Sequence, residues 1–124
     1  MEELNDLTYK IIGCAYKVHK ELGPGLLEST YEICLEHELK KANLKVVNQC
    51  SLPVVYDSLK LNAGYRVDLL VEDSVILELK AVDEITQVHK AQLMTYLKLS
   101  KLKLGLLLNF NVLNMQNGIK RVIM

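Results

Sequence analysis

Two stretches of this chain read as buried β-strand, and charges interrupt both. They are Tyr65-Arg66-Val67-Asp68-Leu69-Leu70-Val71 and Val75-Ile76-Leu77-Glu78-Leu79-Lys80. Runs this rich in Val, Ile and Leu predict strands in the middle of a sheet. A charge buried there is costly unless something compensates it. Strand side chains alternate, so Glu78 and Lys80 share a face. The connection decides where Asp68 lies. A three-residue loop, Glu72-Asp73-Ser74, pairs Val71 with Val75 and sets Asp68 opposite Glu78. A two-residue loop puts the carboxylates on opposite faces. We take the odd-length loop.

In that register the two Cβ atoms stand about 5 Å apart. Their charges repel by about 3 kcal/mol at an effective dielectric of roughly 20. A divalent cation relieves the conflict. Mg²⁺ (or Mn²⁺) takes oxygen ligands and leaves positions for water and substrate phosphates. Lys80 then lies beside the ion. There it can orient or deprotonate a water, or stabilise charge building on phosphorus. Glu-x-Lys also suits an exposed strand face, but the apolar neighbours speak for central strands.

The rest of the chain supplies a frame. Leu7, Ile11, Cys14, Ala15, Val18 and Leu22 form one stripe on a helix over about 5–22, stopped by Gly23-Pro24-Gly25. A second helix is predicted over about 26–41. Its core face holds Leu27, Tyr31, Cys34, Leu35 and Leu39, and Asn43 caps its end. Val46-Val47 and Leu52 to Tyr56 read as one bent strand or two short ones, with Pro53 marking an edge or bulge. Turns start at Asp57-Ser58 and at Asn62-Ala63-Gly64. A third helix is predicted over 85–100, then strands over 104–110 and 119–123. The order α-α-β-β-β-α-β-β predicts a mixed α/β (α+β) sandwich with helices on a central sheet.

A length of 124 residues suits one domain, 1–124. Lys and Arg number 15, as do Asp and Glu, so nucleic acid would have to meet a local basic face. Lys98, Lys101 and Lys103, or Lys120 and Arg121, are either solvated or phosphate-facing. Cys14, Cys34 and Cys50 carry no disulfide framework or CxxC pair, which predicts reduced thiols in a cytoplasmic protein. The start Met1-Glu2-Glu3-Leu4-Asn5-Asp6 has no apolar region, so neither signal peptide nor membrane partner is expected.

Gly25-Leu26-Leu27-Glu28-Ser29-Thr30-Tyr31 reads as G-x-x-E-x-x-Y. This stretch, Gly64 to Val71, Glu78 to Val82, Gln92 to Leu97, Gly105 to Phe110 and Gly118 to Arg121 together resemble the bacterial GxxExxY protein family. That family is placed in the PD-(D/E)xK nuclease superfamily. The resemblance implies a restriction-endonuclease-like central mixed sheet flanked by helices, and metal-dependent hydrolysis of DNA, with RNA the second candidate. It assigns the metal to Asp68 and Glu78, completed by Glu28, and the water to Lys80. Gln92 and Tyr96 match the superfamily's Q-x-x-x-Y, with Gln92 touching a water or phosphate. Val67 stands where the superfamily's Pro would be.

From the residues themselves, Glu28 and Tyr31 share a helical face, and Glu28 also suits the helix dipole. Tyr96 reads as core with a tethered hydroxyl. His19, a further candidate, reads as a packing or capping residue. Two other readings stand beside the nuclease. One is a catalytically inactive module that keeps the fold and binds partners. The other is a homodimer that joins two sites.

Overall fold

The computed structural model describes residues 2–62 and 64–124. The chain begins with helices α1 (Glu2–Leu22) and α2 (Glu28–Lys41), and then forms strands β1 (Val46–Ser51), β2 (Val54–Tyr56), β3 (Leu59–Leu61), β4 (Arg66–Val71) and β5 (Val75–Lys80). Helix α3 (Gln87–Ser100) leads to β6 (Leu104–Asn109), a 3₁₀ turn (Met115–Gly118) and β7 (Ile119–Ile123). The main sheet has the order β1-β4-β5-β6-β7. The β5–β6 pair is parallel, as its helical crossover requires, and the other neighbours are antiparallel. This is the mixed, helix-flanked sheet that the sequence predicts, with β4 and β5 inside it.

Both faces of the sheet are covered. Ile11, Ala15 and Val18 of α1 and Tyr31, Leu35 and Leu39 of α2 share one core with Leu69, Val71, Val75, Leu77 and Leu79. Leu93, Tyr96 and Leu97 of α3 share the other with Val67, Ile76, Leu107 and Val122. Buried apolar side chains of this size each contribute roughly 1.5–3 kcal/mol, so the two cores fix the sheet between its helices. Among the described residues, no helix is long and apolar enough to cross a membrane. Cys14, Cys34 and Cys50 are free thiols, each half-buried.

One local expectation needs correction, and one strand was not expected. Leu27 is not a core residue. It is the N-cap of α2 and is 74% exposed, because α2 starts two residues later than the apolar pattern suggests. Ala42 is the last cap residue, and Asn43 ends the helix as expected: it takes φ +62°, its N–H donates to the Lys40 carbonyl at 2.9 Å, and Leu44 N–H donates to the Leu39 carbonyl at 3.1 Å. Leu59–Leu61, between the two expected turns and assigned no element from the sequence, pairs with Val54–Tyr56 in a separate two-stranded hairpin. Its side chains are almost wholly exposed, so burial left no alternating signal in the sequence. Ala63, within one expected turn, lies outside the described residues.

Candidate functional site

The β4–β5 register is Leu69↔Leu77, Leu70↔Ile76 and Val71↔Val75, so the loop has the three residues Glu72, Asp73 and Ser74. Glu72 and Asp73 both adopt φ +53°, and Ser74 N–H closes the turn on the Val71 carbonyl at 3.0 Å. Beyond Leu69 and Leu77, side chains connect the strands. Asp68 N–H donates to Glu78 Oε2 at 2.7 Å, and Leu79 N–H donates to Asp68 Oδ2 at 2.9 Å. Meanwhile β4 stays paired with β1 to Arg66, and β5 with β6 to Lys80. The sheet therefore forks between β4 and β5, and the two carboxylates reach across the fork toward each other's strands.

The other border of β4 is irregular at the same point. Asn48 pairs with Leu69 and Cys50 with Val67, leaving Gln49 and Asp68 between them. Gln49 has φ +47°, a conformation that costs a non-glycine residue about 1–2 kcal/mol. The facial alternation slips here: Leu69 packs toward α1 and α2, whereas Val67 packs toward α3. The slip frees the Asp68 side chain from either core. The Gln49 amide donates to both oxygens of Glu32 at 3.1 and 3.0 Å and makes a long 3.5 Å contact with Asp68 Oδ1. Gln49 and Glu32 are thus site residues that sequence reasoning missed.

The electrostatics show an excess of negative charge. Glu78 is buried, and its pKa is pushed up to about 8, first by desolvation and then by Asp68. The Asp68 N–H bond and Lys80 oppose the rise. Glu28, the first residue of α2, is raised mainly by desolvation of its carboxyl, with Lys80 opposing and Asp68 adding. Desolvation likewise raises Glu32, against its bond from Gln49. Tyr96 is raised by burial and then by the charges of Glu78 and Asp68. Glu28 and Glu78 thus both feel the charges of Asp68 and Lys80, and Glu32 reaches Asp68 through Gln49.

Lys80 is held from its backbone. It pairs with Asn109 of β6, and its carbonyl accepts from Phe110 N–H at 3.0 Å. The buried Asn109 amide accepts from Val82 N–H at 3.1 Å and donates to the Val82 carbonyl at 2.9 Å, clamping the chain just past Lys80. A lone Asn ending the apolar run Leu104–Leu108 was the available signal.

The remaining candidates divide. Tyr31 lies in the core, stacked on Phe110 with ring centroids 4.7 Å apart. Its hydroxyl donates to the Gly23 carbonyl at 2.6 Å and accepts from Leu26 N–H at 3.1 Å. Both partners lie in the loop before α2, where Gly23 and Gly25 have φ +70° and +100°. Tyr31 therefore shapes the loop that presents Glu28. Tyr31→Phe removes both hydrogen bonds to this part-buried loop, and is expected to lower stability by about 1–3 kcal/mol. A thermal melt checks this, with an unchanged melting temperature as the contrary result. His19 is buried near Phe110, its Nε2 2.7 Å from the Val112 carbonyl, a packing role apart from the fork. Gln92 is exposed on α3 one turn before Tyr96, in a groove with Tyr65. Arg121 is held by Asn5 and Thr8 at 2.7 and 3.2 Å, so it faces α1 and not a phosphate.

The family comparison agrees with this geometry. A family model described as the PD-(D/E)XK nuclease superfamily matches residues 5–122. The chain belongs to the PD-(D/E)XK nuclease superfamily. No curated protein and no solved structure matches it. Nucleases of this superfamily generally use divalent metals. Among the described residues, no group of three or more His, Cys, Asp or Glu side chains is gathered closely enough to hold an ion by itself. The donor set nevertheless fits a hard cation. Asp68 and Glu78 offer carboxylate oxygens, the donors that Mg²⁺ or Mn²⁺ takes alongside water and phosphate, and an ion there would displace the proton that burial favours on Glu78.

Proposed function

We propose that this PD-(D/E)XK protein is a divalent-metal-dependent nuclease that hydrolyses phosphodiester bonds, with DNA favoured over RNA. The observation that carries this reading is the reciprocal crossing of Asp68 and Glu78 at the fork, with Lys80 two residues further along the same strand. Asp68 and Glu78 would hold Mg²⁺ or Mn²⁺, with Glu28 adding a carboxylate from the α2 side. When bound, the ion would supply Lewis-acid polarisation of the phosphate and acidify water.

The chain's own residues account for the remaining work. Bonds from Asp68 N–H and Leu79 N–H fix one oxygen of each carboxylate, leaving Glu78 Oε1, and Asp68 Oδ1 apart from its long Gln49 contact, to take an ion. Lys80 donates to the attacking water or to the phosphate oxygens as phosphorus gains its fifth oxygen. Glu32 and Gln49 restrain Asp68 from behind.

The test is cleavage of end-labelled single- and double-stranded DNA and RNA in Mg²⁺ or Mn²⁺, against EDTA. Metal-dependent products are expected. The rival reading, a binding module without catalysis, draws on the balanced net charge. It would be established by the absence of products in every metal together with no metal-linked rise in melting temperature.

A further inference from the structure

We infer that the groove between the β2–β3 hairpin and α3 is a pocket for an unstacked nucleobase, so that the substrate is single-stranded or locally opened nucleic acid. This rests on the nuclease reading and narrows it. The groove encloses about 460 Å³. Val54 and Leu61, cross-strand partners in the hairpin, form one wall, and Tyr96 and the exposed Gln92 of α3 form the other. Tyr65, half-exposed, closes the end nearest β4. The lining is mostly apolar, with an amide and a Thr95 hydroxyl at its edge. Such a surface suits a flat ligand with an apolar face and a hydrogen-bonding rim, which describes a base. A base stacked within a duplex presents only its edges and cannot enter.

Two further features place a nucleotide there. Tyr96 belongs to the groove and also to the core that holds Val67, the residue before Asp68, so the pocket lies beside the strand that carries the fork. Tyr65, immediately before β4, precedes Asp68 by three residues, about 10 Å of extended chain. A base on Tyr65 therefore belongs to the nucleotide beside the phosphate at the fork. Strand alternation continues the hairpin's wall outward through the next pair, Tyr56 and Leu59, which are 71% and 59% exposed. A two-stranded hairpin is marginal alone, and a strand of bases along this face would cover it.

The experiment follows 2-aminopurine fluorescence in a short single-stranded oligonucleotide mixed with the whole protein in EDTA, where nothing is cut. Quenching on binding is expected. Tyr65→Ala should weaken binding about tenfold, as loss of one base–aromatic stack does. Tyr65→Phe should retain it, and the same sequence as a duplex should bind more weakly. Equal binding by Tyr65→Ala, equal binding of the duplex, or no quenching would overturn the pocket. So would light scattering that shows a dimer abolished by Tyr65→Ala, since a second copy would then be the occupant. Cleavage separates the two proposals. Tyr65-dependent quenching without cutting in any metal leaves the pocket and removes the nuclease. Cutting without Tyr65-dependent binding does the reverse.

Discussion

Lys80→Met is expected to slow metal-dependent cleavage by about 10²–10⁴-fold while the protein stays folded and still responds to Mn²⁺. The two halves of that result come from different parts of the residue. The Lys80 backbone is locked by β6 and by the Asn109–Val82 clamp, neither of which involves the ammonium. Methionine preserves the unbranched apolar stem of the side chain up to Cε. What disappears is a cation facing Glu78 and Glu28. Loss of that charge should raise the Glu78 pKa further and leave the metal-free protein slightly less stable. The cation itself should bind at least as well, because the variant carries one positive charge fewer near the carboxylates. Single-turnover cleavage and a Mn²⁺ melting series on the same preparation check both halves. Equal cleavage by the variant and the parent would remove Lys80 from the chemistry.

The second large effect is on stability against pH. Glu78 has a folded pKa of about 8 against an ordinary 4.5. Below pH 4.5 the group is protonated in both states. Between 4.5 and about 8 the unfolded chain has released the proton and the folded chain still holds it. The folded state then binds more protons, so stability falls as pH rises through this window. The loss should reach a few kcal/mol by pH 8.5, or roughly 10 °C in melting temperature. Glu28 and Glu32 are raised too and act in the same direction. Glu36 and Glu38, lowered by Asn48 and Lys17 respectively, act in the opposite one at the surface. Glu78→Gln isolates the buried group. Its amide can still accept from Asp68 N–H, and it should flatten most of the pH dependence measured in EDTA. In the parent, Mn²⁺ should add little at pH 5.5 and progressively more toward pH 8.5, because it competes with the Glu78 proton. A parent protein as stable at pH 8.5 as at 5.5 in EDTA would contradict the buried carboxyl pair.

Asp68, Glu78 and Lys80 were legible because apolar neighbours on both sides made charge anomalous. The register followed from counting outward from Glu72-Asp73-Ser74. The fork itself was not legible. It depends on the ladder yielding to side chains at Asp68 and on the left-handed backbone of Gln49, neither of which follows from strand alternation. Glu32 was invisible for a related reason: its place in the site requires α2 to lie over β1, a contact between elements that no local pattern encodes. Tyr31 was legible as a motif residue but not in its role, since only the fold brings its hydroxyl back to Gly23 and Leu26. Leu27 misled because an N-cap position can carry an apolar residue where the chain leaves the core.

The central claim is that Asp68 and Glu78 together hold one divalent cation at the fork between β4 and β5. Anomalous scattering from crystals of the protein grown or soaked with Mn²⁺ tests it most directly. A peak bridging Asp68 and Glu78, beside Lys80, is the expected result. Full Mn²⁺ exposure with no peak between them, and with the two carboxylates still bonded to the Leu79 and Asp68 amides, would contradict it.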